Sequence, residues 1–313
     1  MKSLSFFIAA HNGAEYPDLL KGRLSEGIDY RVATTMEDSL SQYDGQQVLL
    51  ARPDFAAAIL NTQPPIDWIQ STWAGVTPLI NHPNKNYTLT GVKEVFGEQM
   101  TEYVLAQILH HELQIKERGE QQQRKIWKAK GSGRLAGKTI GILGTGSIGA
   151  ELANSAAQLG VKVIGYNRSG NPVKPFEEIY TKDSLTEFLK QSDYVIGILP
   201  DLPSTTNLID ASSFQSMKET ALFINVGRGN LIDDDALCAA LNNGEIAGAV
   251  LDVFKKEPLS IDSPLWTAKN CTITPHIAAM SYPIDIVEVF LKNLERYMAE
   301  ESLLYQIDFD KGY

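Results

Sequence analysis

Cysteine is nearly absent. Cys238 and Cys271 are the only two among 313 residues, both in apolar settings (LCAAL and NCTITP), and neither belongs to a CxxC pair. A disulfide framework and a CxxC motif are thereby excluded, and a reducing, cytoplasmic setting is expected. Long apolar runs are missing too. None approaches the roughly 20 residues that span a bilayer, so no membrane partner is expected. The opening MKSLSFFIAAHNG has a lysine before an apolar stretch, but the stretch is very short and HNG stands where a cleavage region belongs. It reads as a first buried strand rather than a signal peptide. Positive charge is in deficit: 28 Lys and Arg against 38 Asp and Glu give a net charge of −10. A nucleic-acid binder needs a basic face, so no nucleic-acid partner is expected. The same imbalance repels small anions at long range, so an anionic ligand has to be held by a locally placed Arg or Lys. Repeats and low-complexity segments are lacking as well.

What is present is a 43% hydrophobic chain, enough for two domains with sizeable cores. One phrase recurs along it: a short apolar strand, then Gly, Pro or Asn, then a helical pattern. SLSFFIAA (3–10), QVLLARP (47–53) and WIQSTWAG (68–75) carry it in the first third. KTIGILGTG (138–146), KVIGYN (162–167), YVIGILP (194–200), ALFINVG (221–227), AGAVLDVF (247–254) and CTITPH (271–276) follow. Continuous apolar strands alternating with helices predict parallel sheets covered on both faces. A polar helical stretch from about 97 to 130 lies between the groups, read as an interdomain helix, and a last helix is predicted at 285–301.

GILGTGSIGAELA sets Gly144, Gly146 and Gly149 in a G-x-G-x-x-G pattern between a predicted strand and a helix ending at Gly160. That context makes it a dinucleotide fingerprint. Gly144 permits the tight turn, Gly146 lets backbone approach a pyrophosphate, and Gly149 lets helix pack on strand. The N–H groups around Ser147 and Ile148 then face the anion at a helix start. An NAD-preferring site places Asp or Glu at the end of the next strand, to hold the ribose 2′-OH. Here that position is Asn167, followed by Arg168 and Ser169. An acid there would repel a 2′-phosphate by about 4 kcal/mol at about 4 Å and an effective dielectric near 20, whereas Arg attracts it. NADPH (NADP) is therefore expected in preference to NADH.

Three strand ends each deliver ionisable groups: Arg228 after 222–226, Asp252 and Glu257 in LDVFKKEPL, and His276 in ITPHIAA. Ligands of open α/β sheets bind at the carboxyl ends of strands, so these groups can converge. GTGSIG, ILPDLPSTTNLID, LFINVGRGNLIDDDAL, GAVLDVFKKEPL and TPHIAA, in this order and spacing, resemble the D-isomer-specific 2-hydroxyacid dehydrogenase family, strongly over 138–280 and more loosely elsewhere. Within it, WIQSTWAGV, GEQMTEYVLAQILHH, NRS and the terminal DKGY are most similar to bacterial NADPH-dependent glyoxylate/hydroxypyruvate reductases.

The resemblance implies a role for each group. Arg228 clamps the carboxylate and carbonyl oxygen of a 2-oxo acid through charge-assisted bonds of roughly 1.5–3 kcal/mol each, its glycine neighbours clearing space. His276 is the general acid in reduction and base in oxidation. Glu257 fixes its tautomer and stabilises the imidazolium. Asp252 holds the nicotinamide carboxamide, Met100 lies against the ring, and Leu199, Pro200, Thr205, Val226 and Gly227 line the cofactor groove. Ala74 and Gly75 offer N–H groups to the substrate carboxylate, and Trp73 limits side-chain size. The run Trp73–Thr77 departs from the family's commoner G-x-G-V-D, which leaves that loop's shape open. No metal is required. His11, His82, His110 and His111 read as structural.

The expected architecture is α/β: two Rossmann-like/flavodoxin-like domains with doubly wound parallel sheets and an active-site cleft between them. Residues 1–98 completed by 283–313 form the substrate domain, and 99–282 the dinucleotide-binding domain. The expected activity is NADPH-dependent reduction of a small anionic 2-oxo acid to the D-2-hydroxy acid. By resemblance the chain forms a homodimer, with the 99–130 helical region as the interface. Two alternatives stay open: a bulkier 2-oxo acid as substrate, or a dinucleotide-gated binding protein without turnover. Formate oxidation is disfavoured, because Glu257 stands where that branch of the family has glutamine.

Overall fold

The computed structural model describes residues 4–62 and 64–310. Ser3, where the first strand was expected to begin, and Lys311–Tyr313 of the DKGY ending lie outside the described residues. The chain forms two compact units, Met1–Val95 with Ser281–Tyr313, and Phe96–Met280. The changeovers fall a few residues before the expected limits of 98/99 and 282/283.

In the first unit, β1 (Leu4–Ala9), β2 (Ile28–Ala33), β3 (Val48–Ala51), β4 (Trp68–Ser71) and β5 (Thr88–Thr90) make a sheet ordered β2-β1-β3-β4-β5. Every pairing is parallel. The final helix, Pro283–Met298, returns to this sheet. It buries Ile286, Val287, Phe290 and Leu294 at helical spacing and leaves Glu288, Lys292 and Glu295 exposed. Phe290 stacks on Trp68 (centroids 5.3 Å) and tilts against Phe6 (4.9 Å), and buried Asn293 donates to Gln70 Oε1 at 3.1 Å. Burying the Phe290 side chain alone stabilises this docking by roughly 1.5–3 kcal/mol.

The second unit contains β6 (Thr139–Leu143), β7 (Lys162–Tyr166), β8 (Glu178–Tyr180), β9 (Tyr194–Gly197), β10 (Leu222–Asn225), β11 (Gly248–Leu251) and β12 (Cys271–Ile273), ordered β12-β11-β10-β9-β6-β7-β8. All of its pairings are parallel. Alternate residues of each central strand feed two separate cores. Leu143, Val195, Phe223 and Ala249 point into one, while Ile142, Ile196, Ile224 and Val250 point into the other. Both faces are covered, which is why these strands read as unbroken apolar runs.

Three strands escaped the sequence reading, and all three are edges. β2, β5 and β8 are short or half-solvated and carry no continuous apolar run. The predicted 97–130 helical stretch is two helices, Gly97–Glu112 and Ile115–Gln123, broken where Gln114 takes a left-handed conformation (φ 53°). The first buries Met100, Val104 and Ile108, while the second buries nothing, so no packing holds them in one line. Among the described residues no helix is long and apolar enough to cross a membrane.

Candidate active site

β10 ends at Asn225, whose buried side chain builds the turn that follows. Its Nδ2 donates to the Arg228 carbonyl (2.9 Å), and its Oδ1 accepts from the Gly227 N–H (3.3 Å). A Cβ on Gly227 would lie 2.9 Å from the backbone N and O of Leu199, and one on Gly229 would overlap the backbone of Phe254 and Lys255. The glycines around Arg228 thus answer to backbone crossing from neighbouring strand ends. Space for a ligand, the reason expected from sequence, is not what makes them necessary.

Arg228 Nη1 donates to the Gly227 carbonyl at 2.6 Å. Among the described residues its guanidinium makes no ion pair, so most of its five-donor fork is uncommitted. Burial pushes its pKa below the ordinary arginine range, opposed by the carboxylates of Asp201 and Glu257. A half-buried cation with so few acceptors is suited to receive an anion on a chain whose overall charge repels anions.

Glu257, in the loop after β11, spends one oxygen on each of two partners. Oε1 accepts from the Phe254 N–H (2.9 Å) and Oε2 is 2.7 Å from His276 Nδ1. Both side chains are partly exposed, and His276 Nε2 has no partner among the described residues. His276 sits at φ 57°, a conformation that costs a non-glycine residue of order 1–3 kcal/mol. Asp252 holds it there. Its carbonyl accepts from His276 N (2.8 Å), and its buried carboxylate accepts from Thr274 Oγ1 (2.6 Å), Ile277 N (2.9 Å) and Ala278 N (2.9 Å). Thr274 gives its only proton to that carboxylate, so Tyr103 must be the donor in the 2.6 Å bond between the two hydroxyls. Burial is the main cause that raises the Tyr103 pKa and keeps it a donor. The Asp252 carboxylate has one acceptor position left on Oδ2, so its principal work here is shaping the histidine turn.

β10, β11 and β12 are consecutive in space, about 4.8 Å apart. Arg228, Glu257 and His276 therefore leave one end of one sheet, and Arg228 feels the Glu257 charge.

The strand order reverses between β6 and β9, and the loops leaving those two strands carry the glycine pattern and Leu199–Thr205. Gly144 lies at φ 117°, and a Cβ on Gly149 would overlap the Gly144 carbonyl oxygen, so the fold itself demands both. At Gly146 an added Cβ would meet nothing. Its smallness serves open space beside the start of the helix Ser147–Ala157, which has no side-chain cap. Ile148 packs on the core, as do Met100 (7% exposed) and Val226. Asn167 ties the next turn together: it donates to Thr145 Oγ1 (3.1 Å) and accepts from Gly170 N (2.8 Å) and Ser169 Oγ (3.2 Å). Arg168 is exposed with no hydrogen-bond acceptor among the described residues. The open space, the uncapped helix start and the unpaired cation fit a phosphorylated dinucleotide. Thr205 is buried and bonds internally to the Pro200 carbonyl (2.7 Å) and the Leu202 N–H (3.0 Å), which makes it a brace for the loop.

In the first unit, Ser71 Oγ donates to the Trp73 carbonyl (2.7 Å) and accepts from the Trp73 N–H (3.0 Å). Trp73 and Ala74 are exposed, and the Ala74 and Gly75 N–H groups donate to nothing among the described residues. His82 bonds to Asn61 and Asn84, and His11 to the Thr34 carbonyl, in keeping with structural parts. Among the described residues no cluster of His, Cys, Asp or Glu could hold a metal ion. Asn225, Thr274 and Tyr103 went unread in the sequence, because a residue that acts by bonding backbone carries no local pattern.

Residues 105–278, more than half of the chain, match the family described as D-isomer specific 2-hydroxyacid dehydrogenase, NAD binding domain. A glyoxylate/hydroxypyruvate reductase A from Escherichia fergusonii is 33% identical over 217 residues, 69% of this chain and 70% of that one. Among solved structures, a D-isomer specific 2-hydroxyacid dehydrogenase family protein from Aeromonas salmonicida superposes with TM-score 0.94 at 36% identity, covering 99% of this chain and all of that one. An NADPH-dependent glyoxylate/hydroxypyruvate reductase from Sinorhizobium meliloti, solved with NADP and sulfate, gives TM-score 0.86 at 27% identity with both chains fully covered. The extent of these matches, over the segment that bears the glycine loop and the three strand-end groups, makes the chain an oxidoreductase of the D-isomer-specific 2-hydroxyacid dehydrogenase family.

Proposed function

We propose that the protein reduces a small 2-oxo acid of the glyoxylate/hydroxypyruvate type to the D-2-hydroxy acid with NADPH. The observation that carries this reading is the His276–Glu257 couple at 2.7 Å on the same strand-end surface as a half-buried arginine that makes no ion pair among the described residues. When bound, the reduced nicotinamide supplies the hydride. Arg228 holds the substrate carboxylate and the carbonyl oxygen in its uncommitted fork. Glu257 keeps the His276 proton on Nδ1 in the neutral ring and stabilises the doubly protonated ring, whose Nε2–H passes to the carbonyl oxygen as it becomes an alkoxide. Asp252 keeps one acceptor position for the nicotinamide carboxamide. Arg168 and Ser169 receive a 2′-phosphate on the turn that Asn167 shapes, and no acid stands there to repel it. Ala74 and Gly75, whose N–H groups donate to nothing among the described residues, keep in this reading the part of carboxylate donors that the family resemblance implies.

Relatives support the cofactor choice, since the Sinorhizobium meliloti reductase was solved with NADP. A homodimer through 99–130 belongs to the same reading, supported by exposed Leu109, Leu113, Ile115, Ile126 and Trp127. So does a cytoplasmic location, supported by two free thiols. The test follows reduced-nicotinamide absorbance with NADPH and NADH against glyoxylate, hydroxypyruvate, pyruvate and phenylpyruvate. NADPH consumption fastest with the two smallest polar acids is expected. Cofactor binding without turnover of any acid would replace the enzyme with a dinucleotide-gated binding protein.

A further inference from the structure

We propose that Arg52 is a positioning residue for substrate selection: clamped by Asp54, it holds the Trp73 indole as a fixed wall beside the free Ala74 and Gly75 N–H groups, restricting the enzyme to 2-oxo acids with little or no side chain. This rests on the reading of that loop as a carboxylate site.

Trp73 is 44% exposed, and its neighbours Ala74 and Gly75 carry no bulk. An exposed indole free to change rotamer would set no size limit. This one is held at both ends. Its backbone is tied through Ser71 Oγ by two hydrogen bonds. Its ring lies under the Arg52 guanidinium, 4.4 Å from carbon to centroid, a cation–π arrangement. The guanidinium is immobilised in turn. Nε and Nη2 bond Asp54 Oδ1 and Oδ2 at 3.0 and 3.1 Å, a fork-to-fork pair that fixes the guanidinium plane. Asp54 stands in the first turn of the helix Pro53–Leu60, where the helix dipole favours its charge. The Arg52 N–H is anchored to the Ala9 carbonyl at 2.9 Å, so the brace is built on the ends of β1 and β3. The outcome is an apolar plate of fixed orientation beside two N–H donors that are unpaired among the described residues. A substrate whose carboxylate bonds those donors meets the plate with its side chain.

The experiment measures kcat/KM for glyoxylate and for phenylpyruvate in wild type, Trp73→Ala, Arg52→Met, Arg52→Lys, Asp54→Asn and the Arg52→Met/Trp73→Ala double variant, with NADPH affinity and thermal midpoint as controls. Trp73→Ala is expected to raise the phenylpyruvate-to-glyoxylate ratio about tenfold or more, the scale on which a pocket rejects extra bulk. Arg52→Met and Asp54→Asn are expected to move the ratio the same way by less, with NADPH affinity unchanged. Arg52→Lys should partly restore it, and the double variant should equal Trp73→Ala alone. Arg52 and Trp73 effects that multiply independently would overturn the proposal. So would an Arg52→Met variant that raises KM for both acids alike, which is the mark of direct substrate contact. Wild type that turns over no 2-oxo acid would remove the function reading, and this inference with it. Turnover with an unmoved ratio removes this inference alone.

Discussion

Glu257 has two oxygens and two tasks, and it cannot lose either cheaply. One fixes the Phe254 N–H and so the loop that crosses Gly229; the other faces the histidine. Glu257→Gln keeps an acceptor for the Phe254 N–H, but its amide N–H can bond His276 Nδ1 only in the opposite tautomer, and it removes the charge that stabilises an imidazolium. It should therefore lower kcat by about 10- to 100-fold with little change in thermal midpoint, read by steady-state kinetics beside calorimetry. A midpoint that collapses with activity would make Glu257 a structural residue instead. Arg228→Ala removes two charge-assisted bonds at roughly 1.5–3 kcal/mol each, so kcat/KM for the 2-oxo acid should fall roughly 10²- to 10⁴-fold while NADPH affinity holds. An unaltered kcat/KM would take the clamp away. At the exposed Arg168, which has no acceptor among the described residues, replacement by Ala should raise KM for NADPH far more than for NADH. Equal rises would show that the residue meets no 2′-phosphate.

Among elements, the glycine loop separates what the fold needs from what a ligand needs. Gly149→Ala and Gly229→Ala drive a Cβ into backbone and should destabilise by about 1–3 kcal/mol or more, lowering the thermal midpoint without any cofactor present. Gly146→Ala meets no protein atom, so its midpoint should stay put while NADPH affinity, measured by fluorescence titration, falls. Unchanged affinity would mean that no pyrophosphate approaches there. The reasons for the glycines beside Arg228 could not be read from the chain, because Phe254 and Leu199 reach them across the sheet from distant sequence. Edge strands hid for a related cause. β2 and β8 are half-wet and β5 is only three residues long, so composition marks them weakly, whereas β10 and β11 are buried on both faces and announce themselves.

At the scale of the whole molecule, a chain with ten surplus negative charges has, in the proposed function, single, locally placed anion receptors: Arg228, Arg168 and backbone N–H groups that donate to nothing among the described residues. Those cations were legible because each follows a strand end or the glycine pattern. The hydrogen-bonded frame around them was not, since Asn225, Thr274 and Tyr103 act only once three strands and a helix are assembled. In the first unit the Arg52–Asp54 pair braces Trp73, and the proposed selection for small 2-oxo acids rests on that brace. The most direct test of the account compares wild type with His276→Ala for NADPH binding and for single-turnover reduction of glyoxylate. Equal NADPH affinity with a loss of about 10²-fold or more in the reduction rate is predicted. A His276→Ala protein that reduces glyoxylate at close to the wild-type rate would contradict it.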